Sequence, residues 1–250
     1  LAAASAGGGG PGGTGAVVQG AYLLQPPDDA TPVVRMSCFA FLVKNLVRQA
    51  ALRRLAGAAL LQGSGMAFPA PVFWRIDWST DSLVEDLDMG LRLVLDGQDV
   101  TFEEGALFLS NASSQGGTAG QRRRWEHGML QSMTLHLPRL LEAALEGRPR
   151  LVFLALDQIV PPTVLLLMIA GLATPAAWLL GGLSAPVLLL VAADAALGAG
   201  LLAAWLRHGR AMLPPRVIFG AFRYILWKLP IFAQFVTRRQ RQWVRTERAP

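Results

Sequence analysis

The chain has 250 residues, of which 52% are apolar and only 16% charged, a balance that with a mean hydropathy of +0.38 argues against a wholly soluble protein. Its single cysteine, Cys38, excludes an intrachain disulfide and a thiolate zinc site. A net charge of +6 and a pI near 10.6 favour anionic partners. Nucleic acid, acidic lipid and a phosphorylated substrate all qualify, and the apolar content selects the last two over nucleic acid.

The sequence starts at Leu1 with no charged leader, so it reads as a fragment of a longer protein. Residues 1–15 are rich in Ala and Gly and read as a flexible segment. AVVQGAYLL (16–24) reads as a buried strand, closed by the turn residues Pro26, Pro27, Asp28 and Asp29. Helical periodicity runs from Val33 to about Ala56, where Gly57 relieves the helix end. In LLQGSGMAFP (60–69) small residues alternate with apolar ones, which permits close approach of backbone to a ligand. Ser79, Thr80 and Ser82 offer cap oxygens to a helix with an apolar face of Val84, Leu87, Leu91 and Val94, closing at Gly97. Glu85, Asp88 and Arg92 are expected on its opposite side. A short strand is expected around Val100–Phe102, then a polar loop over 110–120, then a helix from QRRRWEHG toward Glu146.

Between Asp157 and Arg207 the only charged residue is Asp194. That stretch is too long for one bilayer crossing of about 20 residues, so two spans are expected, near 159–180 and 186–206. Gly181, Gly182, Ser184 and Pro186 supply the turn. Arg148 and Arg150 precede the pair, while Arg207, His208 and Arg210 follow it, which places both flanks in the cytoplasm by the charge rule. Residues 217–236 are apolar but interrupted by Arg223, Lys228 and Pro230, and read as an interfacial helix, with a third crossing as the rival. Asp194 inside a span marks a helix contact or a polar path. Trp178, Trp205 and Trp227 fit interface anchors.

Two short elements could carry chemistry. Gln121-Arg122-Arg123-Arg124-Trp125 is a Q-x-x-R-W match, although a basic cluster beside a membrane also attracts acidic lipid. Val84-Glu85-Asp86 puts carboxylates at a helix start, where the macrodipole also favours them. The order VVQG, GSGMAF, VED, QRRRW and paired spans, with LWKLP (226–230) and QWVRTER (242–248) closing the chain, resembles membrane-bound family-2 glycosyltransferases. Relatives of that kind include synthases of cellulose, hyaluronan, chitin and poly-N-acetylglucosamine. The resemblance implies an α/β fold, part of a glycosyltransferase A-type domain followed by transmembrane helices.

It further implies an inverting transfer from a nucleotide-diphosphate sugar, a uridine one, to a polysaccharide or glycolipid at the cytoplasmic face of the inner membrane. Asp86 would be the base with Glu85 as its neighbour, Arg124 would meet the donor diphosphate, Trp125 and Gln121 would contact acceptor or donor, and Gly63, Ser64 and Gly65 would line the acceptor side. The family's Mg²⁺ or Mn²⁺ is held by an Asp-x-Asp motif upstream of the VQG-like strand. No such motif precedes Val17, Asp28-Asp29 comes too late in the chain, and no metal ligand is assigned here, so this piece alone is expected to be inactive. His127, with His136 and His208 as the other histidines, forms no ligand cluster in sequence and reads as structural. Asn111-Ala112-Ser113 matches a glycosylation sequon, which a cytoplasmic location would leave unmodified. The expected organisation is a flexible segment (1–15), the C-terminal part of a catalytic domain (16–150), a two-span hairpin (151–210) and an interfacial helix with a basic tail (211–250). A membrane scaffold or transport component without catalysis explains the spans and basic flanks, but not the motif order.

Overall fold

A computed structural model describes residues 15–78, 84–112, 128–130, 132, 135–218, 220, 224–226 and 228–230. Strand β1 (Val17–Gln25) forms where the sequence alternates small and branched apolar residues, and it is buried along most of its length. It is the centre of a three-stranded sheet in the order β2-β1-β3, antiparallel to the short β2 (Met66–Ala67) and parallel to β3 (Val100–Asn111). A parallel pair needs a crossover, and the intervening helices supply it.

The crossover opens with α1 (Pro32–Leu42), capped by the Thr31 hydroxyl, which accepts from the Val34 N–H, and started by a proline at its first position. A five-residue π-turn over Val43–Val47 joins it to α2 (Arg48–Leu55), which stops at Gly57 with φ +74°. After the one-turn helix α3 (Ala70–Phe73) comes α4 (Glu85–Leu95), whose buried side chains include Leu87, Leu91 and Val94, as the periodicity predicts. Ser79, Thr80 and Ser82 lie outside the described residues. The cap position is Val84, which provides no side-chain hydrogen bond. The core gathers Val17, Ala21, Leu60, Leu61, Leu91, Val94, Val100, Leu140 and Leu154 between sheet and helices.

The short strand expected near Val100 runs on to Asn111. Its register against β1 jumps from Gly20↔Glu103 to Ala21↔Leu107, so Glu104, Gly105 and Ala106 form a bulge that local patterning does not reveal. The bulge brings Phe108 over Gly20 and Gly65, where an added Cβ would lie 2.6 Å and 2.8 Å from the ring atom Cε2. Only glycine fits either position.

Helix α5 (135–145) leads into α6 (Leu151–Ile159), α7 (Thr163–Gly181) and α8 (Ala185–Ala204), the last extended by a π-turn to Gly209. The last two, α7 and α8 with its π-turn, are long and apolar enough to cross a membrane, and only 6% and 11% of their apolar windows are buried. The first such helix starts four residues later than position 159, because Pro161 and Pro162 break the chain after α6. Between the two, the Thr174 hydroxyl donates to Asp194 Oδ2 at 2.7 Å, giving the carboxylate a partner. Trp178 is exposed, whereas Trp205 turns inward, donating to the Leu213 carbonyl at 2.8 Å beneath the Arg210 guanidinium. Trp227 lies outside the described residues. Of 217–236, helical backbone is described at 217–218, 224–226 and 228–230.

The arginines flanking the apolar pair also have structural partners. Arg148 donates to the carbonyls of Val94 and Leu95 at the end of α4, and Arg150 to those of Arg54 and Leu55 at the end of α2. Both helix C-termini thus receive a cation where unsatisfied carbonyls concentrate. Arg48 forms a two-pronged ion pair with Asp157, tying α2 to α6.

Candidate active site

The first turn of α4 faces the glycine loop at one side of a cleft of about 800 Å³, walled mainly by α4 and residues 72–78, within the range of roughly 300 to 1,000 Å³ typical of ligand sites. Gly63, Trp78, Glu85, Asp86, Asp88 and Arg92 are among its walls. The loop is held from below by Gln19, fully buried on β1. Its side-chain oxygen accepts the Gln62 N–H at 2.9 Å, and its Nε2 donates to the Ser64 carbonyl at 2.8 Å. One amide side chain therefore copies a strand edge, and Gly20 adds a bond from its N–H to the Gly65 carbonyl at 2.8 Å.

With Gly63 at φ +77° and Gly65 at φ +68°, the loop turns twice in the left-handed region. A Cβ on Gly63 would stand 3.1 Å from Asp86 Oδ2, so its absence is what leaves the carboxylate open to the cleft. Ser64 and Gly65, expected to line the site as well, are not in the cleft wall; their carbonyls accept from Gln19 Nε2 and the Gly20 N–H and so hold the loop on β1. Gly90 permits similar closeness on the far side of α4, where a Cβ would meet the Leu61 nitrogen at 2.9 Å.

Asp86 is partly buried, and burial pushes its pKa above the ordinary carboxylate value. The nearby Lys44 ammonium and the N–H groups of Leu87 and Asp86 pull it back, while Glu85 adds to the rise. A carboxyl group displaced upward in an open cleft is what proton abstraction near neutral pH requires. Glu85 is exposed at the rim.

Asp88, expected on the polar side of the helix, is instead buried. Its Oδ1 receives the Ser132 hydroxyl and His136 Nε2, each at 3.0 Å. Sequence gave no signal for this pairing, because the partners lie 44 and 48 residues apart. Trp78 was likewise unmarked. Its indole lines the cleft and leans on Phe73 and Phe68 at centroid distances of 4.9 and 5.7 Å, with Trp74 80% exposed beside them. A Phe-Trp-x-x-x-Trp run just after a glycine loop is the cue that could have found it.

Gln121, Arg124 and Trp125 lie outside the described residues, as does His127. Among the described residues no group of three or more His, Cys, Asp or Glu side chains could hold a metal ion, so those residues do not form a site for the Mg²⁺ or Mn²⁺ that the resemblance implies.

A mixed α/β domain with a carboxylate at the mouth of a glycine-lined cleft, followed by two apolar helices, has the makings of a group-transfer enzyme. Residues 14–206 match the model for glycosyl transferase family group 2, well over half of the chain, and the protein belongs to that family. No curated protein matches it in sequence.

Proposed function

We propose that the protein transfers a sugar from a uridine diphosphate sugar to a polysaccharide or glycolipid acceptor at the cytoplasmic membrane face, with inversion at the anomeric carbon. The observation that carries this reading is Asp86: a carboxylate with raised pKa, opened to a cleft by Gly63, in a chain of a sugar-transferring family. The acceptor hydroxyl donates to Asp86, its oxygen attacks the anomeric carbon from the face opposite the phosphate, and the C–O bond to the diphosphate breaks with the electron pair leaving on phosphate. Asp86 keeps the proton. Lys44 helps hold the carboxylate ionised before that step.

Arg124 is proposed to meet the leaving diphosphate, since a planar, permanently charged guanidinium can bind two oxygens. Gln121 and Trp125 are proposed as acceptor and donor contacts. Trp78, at the cleft wall, offers a further ring face to a sugar. A divalent cation remains part of the proposal, with ligands other than the described residues. Membrane association is supported by two exposed helices of sufficient length and apolarity; crossing with both flanks in the cytoplasm is the arrangement favoured by the basic residues on either side.

The test is product analysis of the intact enzyme in membranes, offered UDP-glucose, UDP-N-acetylglucosamine, UDP-galactose and UDP-glucuronate in turn. Transfer of one of them is expected. Asp86→Asn should lower kcat by about 10² to 10⁴-fold, the usual contribution of a general base, without lowering the melting temperature. Preserved turnover would remove Asp86 from the base role, and absence of product from every UDP-sugar would refute the donor assignment.

A further inference from the structure

The buried cluster of Asp88, Ser132 and His136 takes no part in the chemistry above, yet its place in the fold is specific. Asp88 sits two residues beyond Asp86 on the same rigid helix, while Ser132 and His136 belong to the segment that directly follows QRRRW. The side chains of His136 and Asp88 are 3% and 7% exposed, so the pair is largely shielded from water although Asp88 borders the cleft. A carboxylate has only acceptors, which makes the Ser132 hydroxyl and His136 Nε2 the donors, both to Oδ1.

We propose that Asp88 and His136 are positioning residues that lock the base-bearing turn of α4 to the start of α5, so that Asp86 is held at one place in the cleft wall. The inference rests on Asp86 being the base. Its physical content is that the first turn of α4 has no side-chain cap from Val84, so its placement draws on the contact that Asp88 makes from within the same turn. At 1.5 Å of rise per residue, a shift of the helix by one residue displaces the carboxylate by more than a reacting distance tolerates. The opposite face is already fixed, by the close approach of Gly90 to Leu61 and by Arg148 on the terminal carbonyls. The cluster supplies the third constraint, a polar tie from α4 to α5 beside the apolar packing of Leu91 and Leu140.

The experiment compares two polar replacements in the intact enzyme, reading UDP release from whichever UDP-sugar the product screen identifies. In His136→Gln the terminal amide nitrogen stands near the position of Nε2 and can still donate to Asp88. In His136→Asn it falls short. A positioning role predicts that His136→Asn lowers kcat by about 10 to 100-fold with the KM for the UDP-sugar changed less than twofold, and that His136→Gln recovers kcat to within about threefold of the parent. Ser132→Ala, which withdraws one donor without opening a large hole, should lower kcat about two to fivefold at constant KM. The cycle with Asp86→Asn adds a readout that a purely structural histidine would not move: on the already slow Asp86→Asn background, His136→Asn should cost less than threefold further.

Equal kcat for the Gln and Asn variants would overturn the proposal, as would an unchanged kcat in Ser132→Ala. Full additivity in the cycle would overturn it too. Turnover preserved in Asp86→Asn would instead sink the base assignment, whereas an inactive Asp86→Asn beside a fully active His136→Asn would sink the positioning role alone.

Discussion

The cleft domain and the apolar helix pair solve opposite problems. Around the cleft, several polar side chains are buried against particular neighbours: Gln19 by the glycine loop, Gln49 by the Leu60 N–H, Asp88 by Ser132 and His136. In α7 and α8 the reverse holds, with Leu172, Leu179, Leu180 and Leu189 each more than 70% exposed and a polar contact from Thr174 to Asp194 between the helices. A buried polar group without a partner costs about 1 to 3 kcal/mol, so the first region is intolerant of small changes in shape. The second tolerates many apolar sequences and is intolerant of charge.

That contrast can be broken at its strongest point by Gly65→Val. Positive φ and the Phe108 ring both oppose a side chain there, and strain of roughly 1 to 3 kcal/mol adds to overpacking of similar size. A loss of about 2 to 5 kcal/mol is expected in thermal or denaturant unfolding, and an unaltered midpoint would show that the loop is looser than its geometry implies.

Next in size is Leu172→Arg, at the middle of α7. If the pair crosses a bilayer, insertion should become less favourable by about 2.5 to 3.5 kcal/mol, visible as protein released from membranes by alkaline extraction. In a water-facing helix the same exposed site would accept arginine without consequence.

Asp86→Asn sharpens the comparison in the opposite direction. Because the folded pKa is raised, ionising Asp86 destabilises the fold, fully so above the folded pKa and progressively less as pH falls toward the unfolded value near 3.8. The asparagine variant should therefore melt higher than the parent at pH 7, and its advantage should vanish by about pH 3.5, in paired calorimetric scans. Activity, by contrast, should decline in the parent as pH falls through that raised pKa, since the base must be ionised. The smallest effect belongs to Thr174→Val, which removes one interhelical bond worth about 0.6 kcal/mol in a membrane setting.

Much of the frame was legible in the sequence. The strand at VVQGAYLL, the long helix ending at Gly57, the amphipathic helix closed by Gly97 and the two apolar helices split at Gly181-Gly182 all follow from periodicity and turn residues, which act over a few neighbouring positions. The pairing of Gly63 with Asp86 was anticipated only as two separate motifs. Their meeting depends on Gln19 and Gly90, which hold loop and helix at contact distance from opposite sides.

By itself, then, the sequence determined the elements, the apolar pair and the acidic helix start, because spacing along one chain decides which residues share a face. Tertiary structure alone decided that Asp88 is buried rather than solvated, that β3 continues past a bulge beneath Phe108, and that Arg148 and Arg150 close two helix ends. Each of those outcomes joins residues dozens of positions apart, where burial raises the value of a hydrogen bond and no local pattern records the partner.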